Sequence, residues 1–529
     1  MATLTSPATT TLDRPPALDD RALFGHPRGL GLLFVVEMWE RFSYYGMRAL
    51  LVLYLVNALR WTDGDASRLY GMYTGLVYLT PLIGGYLADR FIGTRRSLVV
   101  GGIIIALGHF TMAFGPDTIP VGTGALKDFG SLMPFYIGLL LIIIGTGFFK
   151  PNVSTMVGQI YPPGDARRDA GFTIFYMGIN VGAGLAPLVC GYLGQRVGWH
   201  YGFGAAGVGM LLGLIIYLWG RDKYLPGIGL ARRDEADNAA AVGAEGLAKE
   251  TAVNPRHGLI GAVLGAAVAF ATGGDWLGYL FGIIIGAALG ITILGSRGEE
   301  RKRVIALFIV VFFVIFFWMA FEQAGSSMNL FADRYTRLSV VGFTFPSSWF
   351  QSVNSMFILI FAPIFAVLWG ALSRRGREPS TALKMATGLI LLGIGFVFLV
   401  VGAKGADACV AEVGREAARG ASSPCAIASP MWLVMAYLFH TWGELMLSPV
   451  GLSYVTKVAP LRFASLLMGV WFLANAAANT LGGYLAAMTE NIATQSKFFM
   501  IPVATSIGAG IVMFALVPLL KRLTASVKA

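Results

Sequence analysis

Long apolar segments separated by short polar ones recur along the whole chain. Fourteen of them contain about twenty mainly apolar residues, enough for a helix to cross a hydrocarbon core of about 30 Å. The pattern therefore predicts an all-α protein with fourteen membrane-spanning helices. Their predicted bounds are 30–58, 68–88, 97–114, 131–160, 170–195, 201–220, 257–273, 276–296, 303–332, 348–372, 380–402, 430–456, 463–488 and 497–520.

The predicted helices fall into two groups of six and one pair. A stretch rich in Ala, Gly and charged residues at 221–256 is typical of a solvated linker. The pair that follows has no charge inside its helices and a short connection, so we expect an accessory hairpin. We therefore divide the chain into a cytoplasmic N-terminal tail at 1–29, a six-helix bundle at 30–220, a cytoplasmic linker with the hairpin at 221–300, and a second six-helix bundle with a short tail at 301–529.

The two six-helix groups contain related sequences at corresponding places. The glycine- and arginine-containing segment at 84–96 follows the second span of the first group, and a weaker counterpart at 369–377 follows the second span of the second group. Two related halves are typical of carriers that rock around a site at mid-membrane. A duplicated scaffold without a transport role is the alternative.

Four charges interrupt the first apolar segment, at Glu37, Glu40, Arg41 and Arg48. At about 100° per residue, these positions and Tyr44 share one face of a helix. A charge at the bilayer centre costs about 2.5–3.5 kcal/mol on insertion scales, so such residues do not face lipid. We expect the charged face to line a watery cavity or to pair with charges on other helices.

Three further charges lie away from the ends of the predicted spans, at Lys150, Glu322 and Glu444. Together with the charges of the first span, they place every intramembrane base in the first half of the chain and only acids in the second half. This division predicts a central cavity with opposite electrostatic poles. A zwitterionic ligand fits that field.

The composition supports a membrane protein. Of the 529 residues, 56% are hydrophobic and 13% are charged, against about 25% charged in soluble domains. The net charge of +11 does not indicate nucleic-acid binding, because the sequence lacks a soluble domain with a basic, aromatic-containing stripe. Lys and Arg cluster in alternate loops, which predicts that both termini are cytoplasmic. The first 29 residues lack the apolar core of a cleavable signal, so we expect the first span to direct insertion.

The three cysteines do not suggest a disulfide framework. Cys409 and Cys425 both fall in the predicted outer loop between the eleventh and twelfth spans, and the sequence leaves open whether they are bridged. Cys190 lies in an apolar helix, where a small buried residue is expected.

Glu37–Gly46 (EMWERFSYYG) resembles the E-x-x-E-R-F-x-Y-Y-G signature of the proton-coupled oligopeptide transporters, a branch of the major facilitator superfamily. Further segments similar to the family lie at 84–96, 149–154, 175–182, 321–323 and 443–445. The resemblance extends from about 30 to 520 and implies two six-helix bundles, with an accessory hairpin of the bacterial type. One departure is Asn354-Ser355, where the family pattern predicts Asn-Pro, a proline that would bend the helix.

The resemblance implies that the chain carries di- and tripeptides. A peptide carboxylate would lie near Arg48 and Lys150, and the peptide amine near Glu444. Lys150 and Glu444 would either form a purely structural interhelical pair or also break and re-form during transport. Side-chain recognition calls for aromatic and amide walls. By motif position, the further substrate-binding candidates are Tyr44, Tyr45, Tyr78, Asn180, Trp318, Asn354, Trp471 and Asn475. Asn475 replaces an expected smaller hydroxyl residue.

Proton coupling requires carboxylates that change protonation as water enters and leaves the cavity. Glu37 and Glu40 are candidates, and Arg41 beside them favours their ionised forms. Movement of Arg41 would therefore switch their proton affinity, and Glu322 is a further proton-coupling candidate. The resemblance implies that Glu322 pairs with Arg48 across the halves, as a gate that protonation or a peptide carboxylate would open; a permanent structural salt bridge is the alternative. His440, one turn before Glu444, is either a proton relay or a packing residue, and we assign it no role.

Two other functions remain open, namely a proton-coupled carrier of another small anion such as nitrate, and a peptide receptor that does not transport. An enzyme is not expected, because the common nucleophile, phosphate-binding and metal-binding motifs are missing from the sequence. No catalytic residue, metal site or cofactor is predicted, and the proton gradient is the expected energy source. The expected partners are peptides, protons and the lipid bilayer. We expect a functional monomer in the bacterial cytoplasmic (inner) membrane.

Overall fold

The computed structural model describes residues 20–119, 124–162, 165–230, 254–271, 274–418 and 423–525. Long helices account for most of this part of the chain. They are α1 Arg28–Leu53, α2 Asp63–Leu87, α3 Thr94–Ala113, α4 Phe129–Ile160, α5 Arg168–Tyr192, α6 Trp199–Tyr224, α7 Pro255–Ala271, α8 Trp276–Leu289, α9 Gly298–Phe321, α10 Ser327–Tyr335, α11 Phe350–Arg374, α12 Thr381–Val413, α13 Met431–Val458, α14 Ala464–Ala487 and α15 Gln495–Leu523.

Short irregular helical turns extend or interrupt these helices. The π-helical segments are Tyr54–Ala58, Ala88–Ile92, Leu193–Val197 and Gly290–Leu294, and the 3-10 turns are Glu322–Gly325, Ser347–Trp349, Leu461–Phe463 and Met488–Glu490. Two short antiparallel strands, β1 Ser339–Val340 and β2 Phe343–Thr344, form a hairpin.

The fourteen predicted spans are all helical, with α9 and α10 forming a single span broken by the turn at Glu322–Gly325. Nine helices in the described part of the chain are long and apolar enough to cross a membrane by length and composition alone. α1 is outside this set because of the charges at Glu37, Glu40, Arg41 and Arg48. The chain is therefore a multi-pass helical membrane protein.

The largest boundary difference concerns α12, which continues eleven residues past the predicted end at 402, to Val413. The prediction that Cys409 lies in a loop is wrong, because Cys409 lies in the last turns of α12. It forms a disulfide with Cys425, which answers the question left open by the sequence. Cys190 is a free, fully buried thiol, as expected.

Packing within each half follows a helix-bundle pattern. In the first half, α1 packs against α5 and α6, and α4 packs against α2 and α3. In the second half, α12 packs against α13 and α15, and α14 packs against α9. Buried apolar residues form two clusters in the first half and one large cluster in the second.

The two halves meet along two helix pairs, α2 with α14 and α5 with α11. At the first seam the backbones approach closely at Gly71 and Gly483. A Cβ added at Gly71 would lie 2.6 Å from the Cα of Gly483, so a side chain cannot be accommodated there without moving a backbone. Small residues of this kind allow membrane helices to pack directly against one another.

Among the side chains that the structure describes, hydrogen bonds and ion pairs between the halves lie toward one end of the molecule. This end contains the C-terminal parts of α1 and α5 and the N-terminus of α2; we call it the clasped end. A bidentate pair joins Arg334 to Asp63 with distances of 2.6 and 2.9 Å. The other inter-half hydrogen bonds within the described ranges are Arg48 with Glu322, Asn329 and Gln351 with the Ala49 carbonyl, Asn57 with Asp333, Thr62 with Glu490, Trp349 with the Leu188 carbonyl, and Gln195 with Asp333, Ser347 and Ser348.

The N-terminus of α2 at the clasped end is fixed by local hydrogen bonds. Thr62 caps the helix by accepting from the Asp65 backbone N–H at 3.1 Å, which satisfies one of the helix's free donors. The Lys127 ammonium lies 2.5 Å from the Asp65 carboxylate and, chiefly through this hydrogen bond, holds the pKa of Asp65 below its usual value. Asp63, which pairs with Arg334, lies in the same first turn of α2.

α7 and α8 form the predicted accessory hairpin. Their backbones touch at glycines, since a Cβ at Gly261 would lie 2.0 Å from the Gly286 carbonyl oxygen. The hairpin docks through α8, whose Leu277 and Phe281 form an apolar cluster with Leu473 and neighbouring residues of α14.

Candidate functional site

A cavity of about 350 Å³ lies between the two halves. Its walls come from α1, α2, α4 and α5 on one side and from α9, α11, α13 and α14 on the other. This volume is within the range of about 300–1,000 Å³ found for small-molecule sites. The predicted site residues that line it are Glu37, Arg41, Arg48, Tyr45, Tyr78, Lys150, Asn180, Trp318, Glu322, Asn354, Glu444, Trp471 and Asn475.

The charged face of α1 is buried, as its spacing predicted. The Arg41 guanidinium Nε lies 2.9 Å from Glu37 Oε1 and 2.5 Å from Glu40 Oε2. Each of these three residues is at most 4% exposed. One arginine therefore balances two carboxylates, which leaves the cluster with a net negative charge if all three groups are ionised.

Glu40 and Tyr44 lie behind the cavity wall. Because successive helix residues point about 100° apart, Tyr45 takes the wall position and Tyr44 points into the bundle. There Tyr44 is 3% exposed, with the Arg41 guanidinium carbon 5.6 Å from its ring centre. The structure thus does not place Tyr44 among the residues that could touch a ligand. Glu40 is linked to the cavity wall through its ion pair with Arg41.

Arg48 and Glu322 form the cross-half ion pair that the resemblance implied. Arg48 Nη2 donates to Glu322 Oε2, while Arg48 Nε donates to the Tyr70 hydroxyl at 2.6 Å. The Tyr45 ring centre is 5.5 Å from the Arg48 guanidinium carbon. Glu322 reaches Arg48 because α9 ends at Phe321 and the chain turns through the 3-10 segment Glu322–Gly325.

Lys150 and Glu444 do not form the expected interhelical ion pair. Within the described residues, no carboxylate lies within salt-bridge distance of Lys150. Its ammonium lies 4.1 Å from the ring centre of Tyr78, which gives a cation–π contact. Both charges line the cavity from opposite halves, so a ligand with two charged ends can satisfy them separately.

Glu444 is held by neutral groups of the second half. Asn354 Nδ2 lies 3.0 Å from Glu444 Oε2 and 3.0 Å from the Thr441 hydroxyl. Glu444 is 7% exposed. This carboxylate therefore has a fixed position and no cationic partner among the described residues.

The departure from the family pattern at Asn354-Ser355 does not interrupt the helix. α11 is continuous through both residues, and its internal proline is Pro363.

Aromatic and amide side chains complete the walls. Asn180 and Asn475 each donate to a backbone carbonyl one turn earlier in their helices, at 3.0 Å to Tyr176 and 2.9 Å to Trp471. Each amide thus keeps a fixed orientation. Trp318 stacks edge-on with Phe321 at 5.2 Å between ring centres.

Sequence reasoning missed several lining residues. Some follow from helical spacing, since Gln351 precedes Asn354 by three residues and Tyr437 precedes Glu444 by seven. Tyr176 lies within a quoted family segment. His440 also lines the cavity, with its ring centre 4.6 Å from that of Phe396, so it is a packed wall residue. The remaining missed residues are Ser154, Ile179, Ala183, Pro187, Phe321, Ala324, Ser355, Ile358, Ser448 and Phe472.

Comparisons with known proteins agree with this geometry. The family model described as PTR2, the POT family, matches residues 95–227 and 282–504. Relatives include the uncharacterized transporter YclF of Bacillus subtilis strain 168, 40% identical over 96% of both chains. The peptide transporter YePEPT of Yersinia enterocolitica is 37% identical over 94% of this chain and 96% of its own. A di-/tripeptide transporter of Lactococcus lactis subsp. cremoris is 34% identical over 95% of this chain and 97% of its own.

Solved structures give the same result. A crystal structure of the peptide transporter POT in complex with sulfate superposes with a TM-score of 0.73 at 36% identity, covering 96% of this chain and 98% of that chain. A POT family transporter in complex with 5-aminolevulinic acid has a TM-score of 0.72 at 29% identity, covering 94% and 98%. The protein is a membrane transporter with the major facilitator fold. The chain belongs to the POT family.

Proposed function

We propose that the chain is a proton-coupled symporter that imports di- and tripeptides by alternating access. The observation that carries this proposal is the cavity of about 350 Å³ between two halves, with Arg48 and Lys150 on one wall and Glu444 on the other. Peptide transport by relatives of similar sequence over nearly the whole chain supports the same substrate class.

The two ends of a peptide would bind at opposite walls. The carboxylate would bind near Arg48 and Lys150, and the amine near Glu444, which Asn354 holds at 3.0 Å. Charge-assisted hydrogen bonds at both ends fix the peptide backbone. The space between them is lined by Tyr45, Tyr78, Asn180, Trp318, Trp471 and Asn475, whose aromatic and amide groups tolerate varied side chains.

Proton coupling would use the carboxylates that share arginines. Glu37 and Glu40 compete for Arg41 at 2.9 and 2.5 Å, so protonation of one leaves Arg41 to the other. Glu322 holds Arg48 across the halves. Its protonation, or arrival of a peptide carboxylate at Arg48, would release that pair and loosen the clasped end. This role requires no cofactor, because the proton gradient supplies the energy.

The orientation of the protein follows from the predicted loop charges. We place the clasped end outside the cell and both termini in the cytoplasm of a bacterium, with the protein in its inner membrane. In this orientation the described conformation is closed toward the outside. A single chain contains the whole cavity, so we propose a functional monomer.

Uptake by proteoliposomes tests the proposal. Labelled dialanine, trialanine and nitrate are offered with and without an inward proton gradient, to wild type and to Glu37→Gln. We expect peptide accumulation above equilibrium in wild type only with the gradient. The variant should lose accumulation yet keep peptide counterflow. Removing a proton site uncouples peptide transport from the proton gradient but leaves the peptide-binding residues in place.

A matched control is Glu412→Gln, which removes an exposed carboxylate at the end of α12. Equal accumulation in Glu37→Gln and Glu412→Gln would remove Glu37 from the coupling role. Nitrate uptake without peptide uptake would replace the peptide carrier by an anion carrier, and binding without uptake of either would favour a receptor.

A further inference from the structure

Tyr70 lies outside the cavity lining but contacts both sides of the Arg48–Glu322 pair. Its hydroxyl accepts from Arg48 Nε at 2.6 Å. The same hydroxyl packs on Gly325, the last residue of the 3-10 turn that begins with Glu322, because a Cβ added at Gly325 would lie 1.9 Å from it. Tyr70 is 1% exposed, so water does not compete for this contact.

We infer that Tyr70 is a positioning residue that anchors Arg48 for capture of the peptide carboxylate, an inference that rests on the proposed function. The guanidinium presents Nε and its two Nη groups in a planar fork. With Nε bound to Tyr70, the Nη groups face Glu322 and the cavity. Glu322 and a peptide carboxylate can then exchange at the Nη groups while the Nε bond persists.

The position of Tyr70 suits this task because α2 belongs to the seam between the halves. The next residue, Gly71, forms the close backbone contact with Gly483 of α14. The phenol is therefore held at a point where α1, α2 and the turn after α9 meet. A preorganised arginine binds a carboxylate at less entropic cost than a free one.

The chain contains a matched control one turn away. Tyr73 lies on the same helix and is also 1% exposed, but its hydroxyl has no hydrogen-bond partner among the described residues. Tyr70→Phe and Tyr73→Phe remove the same atom from similarly buried sites. Only the first leaves a buried arginine donor unsatisfied.

The test measures dialanine uptake by proteoliposomes with each variant. For Tyr70→Phe we expect KM to rise about tenfold, the scale of one lost hydrogen bond to a charged group, with the maximal rate within about twofold of wild type. Tyr73→Phe should keep the wild-type KM. A purely structural role for Tyr70 would lower the maximal rate and the thermal unfolding temperature in detergent and leave KM unchanged.

A second measurement uses dialanine amide, which lacks the carboxylate, as a competitor. Wild type should prefer dialanine over the amide, and Tyr70→Phe should narrow that preference about tenfold. An unchanged KM and an unchanged preference would overturn the anchoring role. Arg48→Lys and Glu322→Gln are measured in parallel. Unaltered gradient-driven uptake in both variants would refute the proposed gate itself. If both variants lost gradient-driven uptake while Tyr70→Phe behaved like wild type, only the role of Tyr70 would be refuted.

Discussion

Charged side chains within a membrane need a partner or water, and each charge in this protein meets that need differently. Arg41 and Arg48 form ion pairs, Lys150 rests on an aromatic ring, and Glu444 receives an amide N–H. Lys150 and Glu444 thus line the cavity without an oppositely charged partner among the described residues. A zwitterion supplies the two missing countercharges at once.

Glu444→Gln tests the amine end of the site. The substitution keeps the size of the side chain but removes the negative charge facing the cavity. We expect the affinity for dialanine to fall about 10- to 100-fold, the equivalent of about 1.5–3 kcal/mol for a hydrogen bond to a charged group. Competition by N-acetyl-dialanine, which has no ammonium group, should be the same in wild type and variant.

Glu412→Gln serves as the control for this variant too, because Glu412 is exposed at the end of α12. If acetylated and free peptides lost affinity equally in Glu444→Gln, the carboxylate would act through the shape of the cavity and not through the peptide amine.

Much of the candidate site was predictable at the residue scale. The spacing of Glu37, Arg41 and Arg48 on one helix fixes a common face, so their burial in the bundle follows from α1 alone. Tyr70 was not predictable in this way. Its role depends on where α2 meets α1 and the turn after α9, and a tyrosine in a membrane helix is usually a packing residue. The absence of a Lys150–Glu444 pair likewise depends on the distance between the halves.

The seam of α2 and α14 shows how single elements limit the fold. Gly71 and Gly483 bring the helix backbones into contact, and Gly75 contacts Thr480 one turn further on. The glycine content of the chain suggested close packing, but neither position could be assigned to this seam without the structure.

Gly71→Ala tests the seam. The added methyl group would lie 2.6 Å from one backbone atom of Gly483 and 2.9 Å from another, so the helices must separate. We expect a loss of about 1–3 kcal/mol, as for other overpacked sites, seen as a lower thermal unfolding temperature in detergent. The matched control is Gly508→Ala in α15, where nothing lies within 4 Å of the new Cβ.

Gly508→Ala should be neutral or should stabilise by up to about 1 kcal/mol, because alanine favours helix more than glycine. Equal unfolding temperatures for the two variants would mean that α2 and α14 can separate without loss of stability.

Hydropathy predicted the ends of a helix well where charged residues or glycines flank the apolar span. The end of α12 was missed because residues 403–413 are alanine-rich with scattered charges, a composition that suits either a loop or an exposed helix end. The break after Phe321 was also missed, since its sequence is locally compatible with a helix. In the structure, Gly325 of this turn lies directly against the Tyr70 hydroxyl, a contact that a single sequence does not reveal.

At the scale of the whole molecule, the related segments at 84–96 and 369–377 predicted two halves, and the hydropathy pattern predicted the number of helices. The contacts between halves were not predictable from one sequence, because they join residues far apart in the chain that are individually unremarkable polar groups. Asp63 and Arg334 are an example, buried and bidentately paired across the halves.

Asp63→Asn tests the clasped end. The variant leaves Arg334 buried without its ionised partner, which typically costs about 3–5 kcal/mol. Opening exposes the arginine to water and avoids this cost, so we expect more molecules open at the clasped end. A cysteine at Ser355, a buried cavity residue, should then react faster with a membrane-impermeant maleimide added to intact cells.

The native cysteines give little background in this measurement, since Cys190 is buried and the other two are bonded. Reversing the pair with Asp63→Arg and Arg334→Asp together should return labelling toward the rate of the Ser355→Cys parent. Labelling that is insensitive to Asp63→Asn would indicate that the remaining inter-half bonds suffice to keep this end shut.

In the proposed transport cycle, the inter-half bonds described at the clasped end should make the return of the empty carrier the slowest step. In that cycle Glu322 stays bound to Arg48 when peptide is absent, so all the described inter-half bonds of the clasped end have to break before this end opens. With peptide aboard, the carboxylate substitutes for Glu322 and the first of those bonds is already released. We therefore expect the return of the empty protein to limit the turnover rate. Peptide on the cytoplasmic side should raise the rate of exchange.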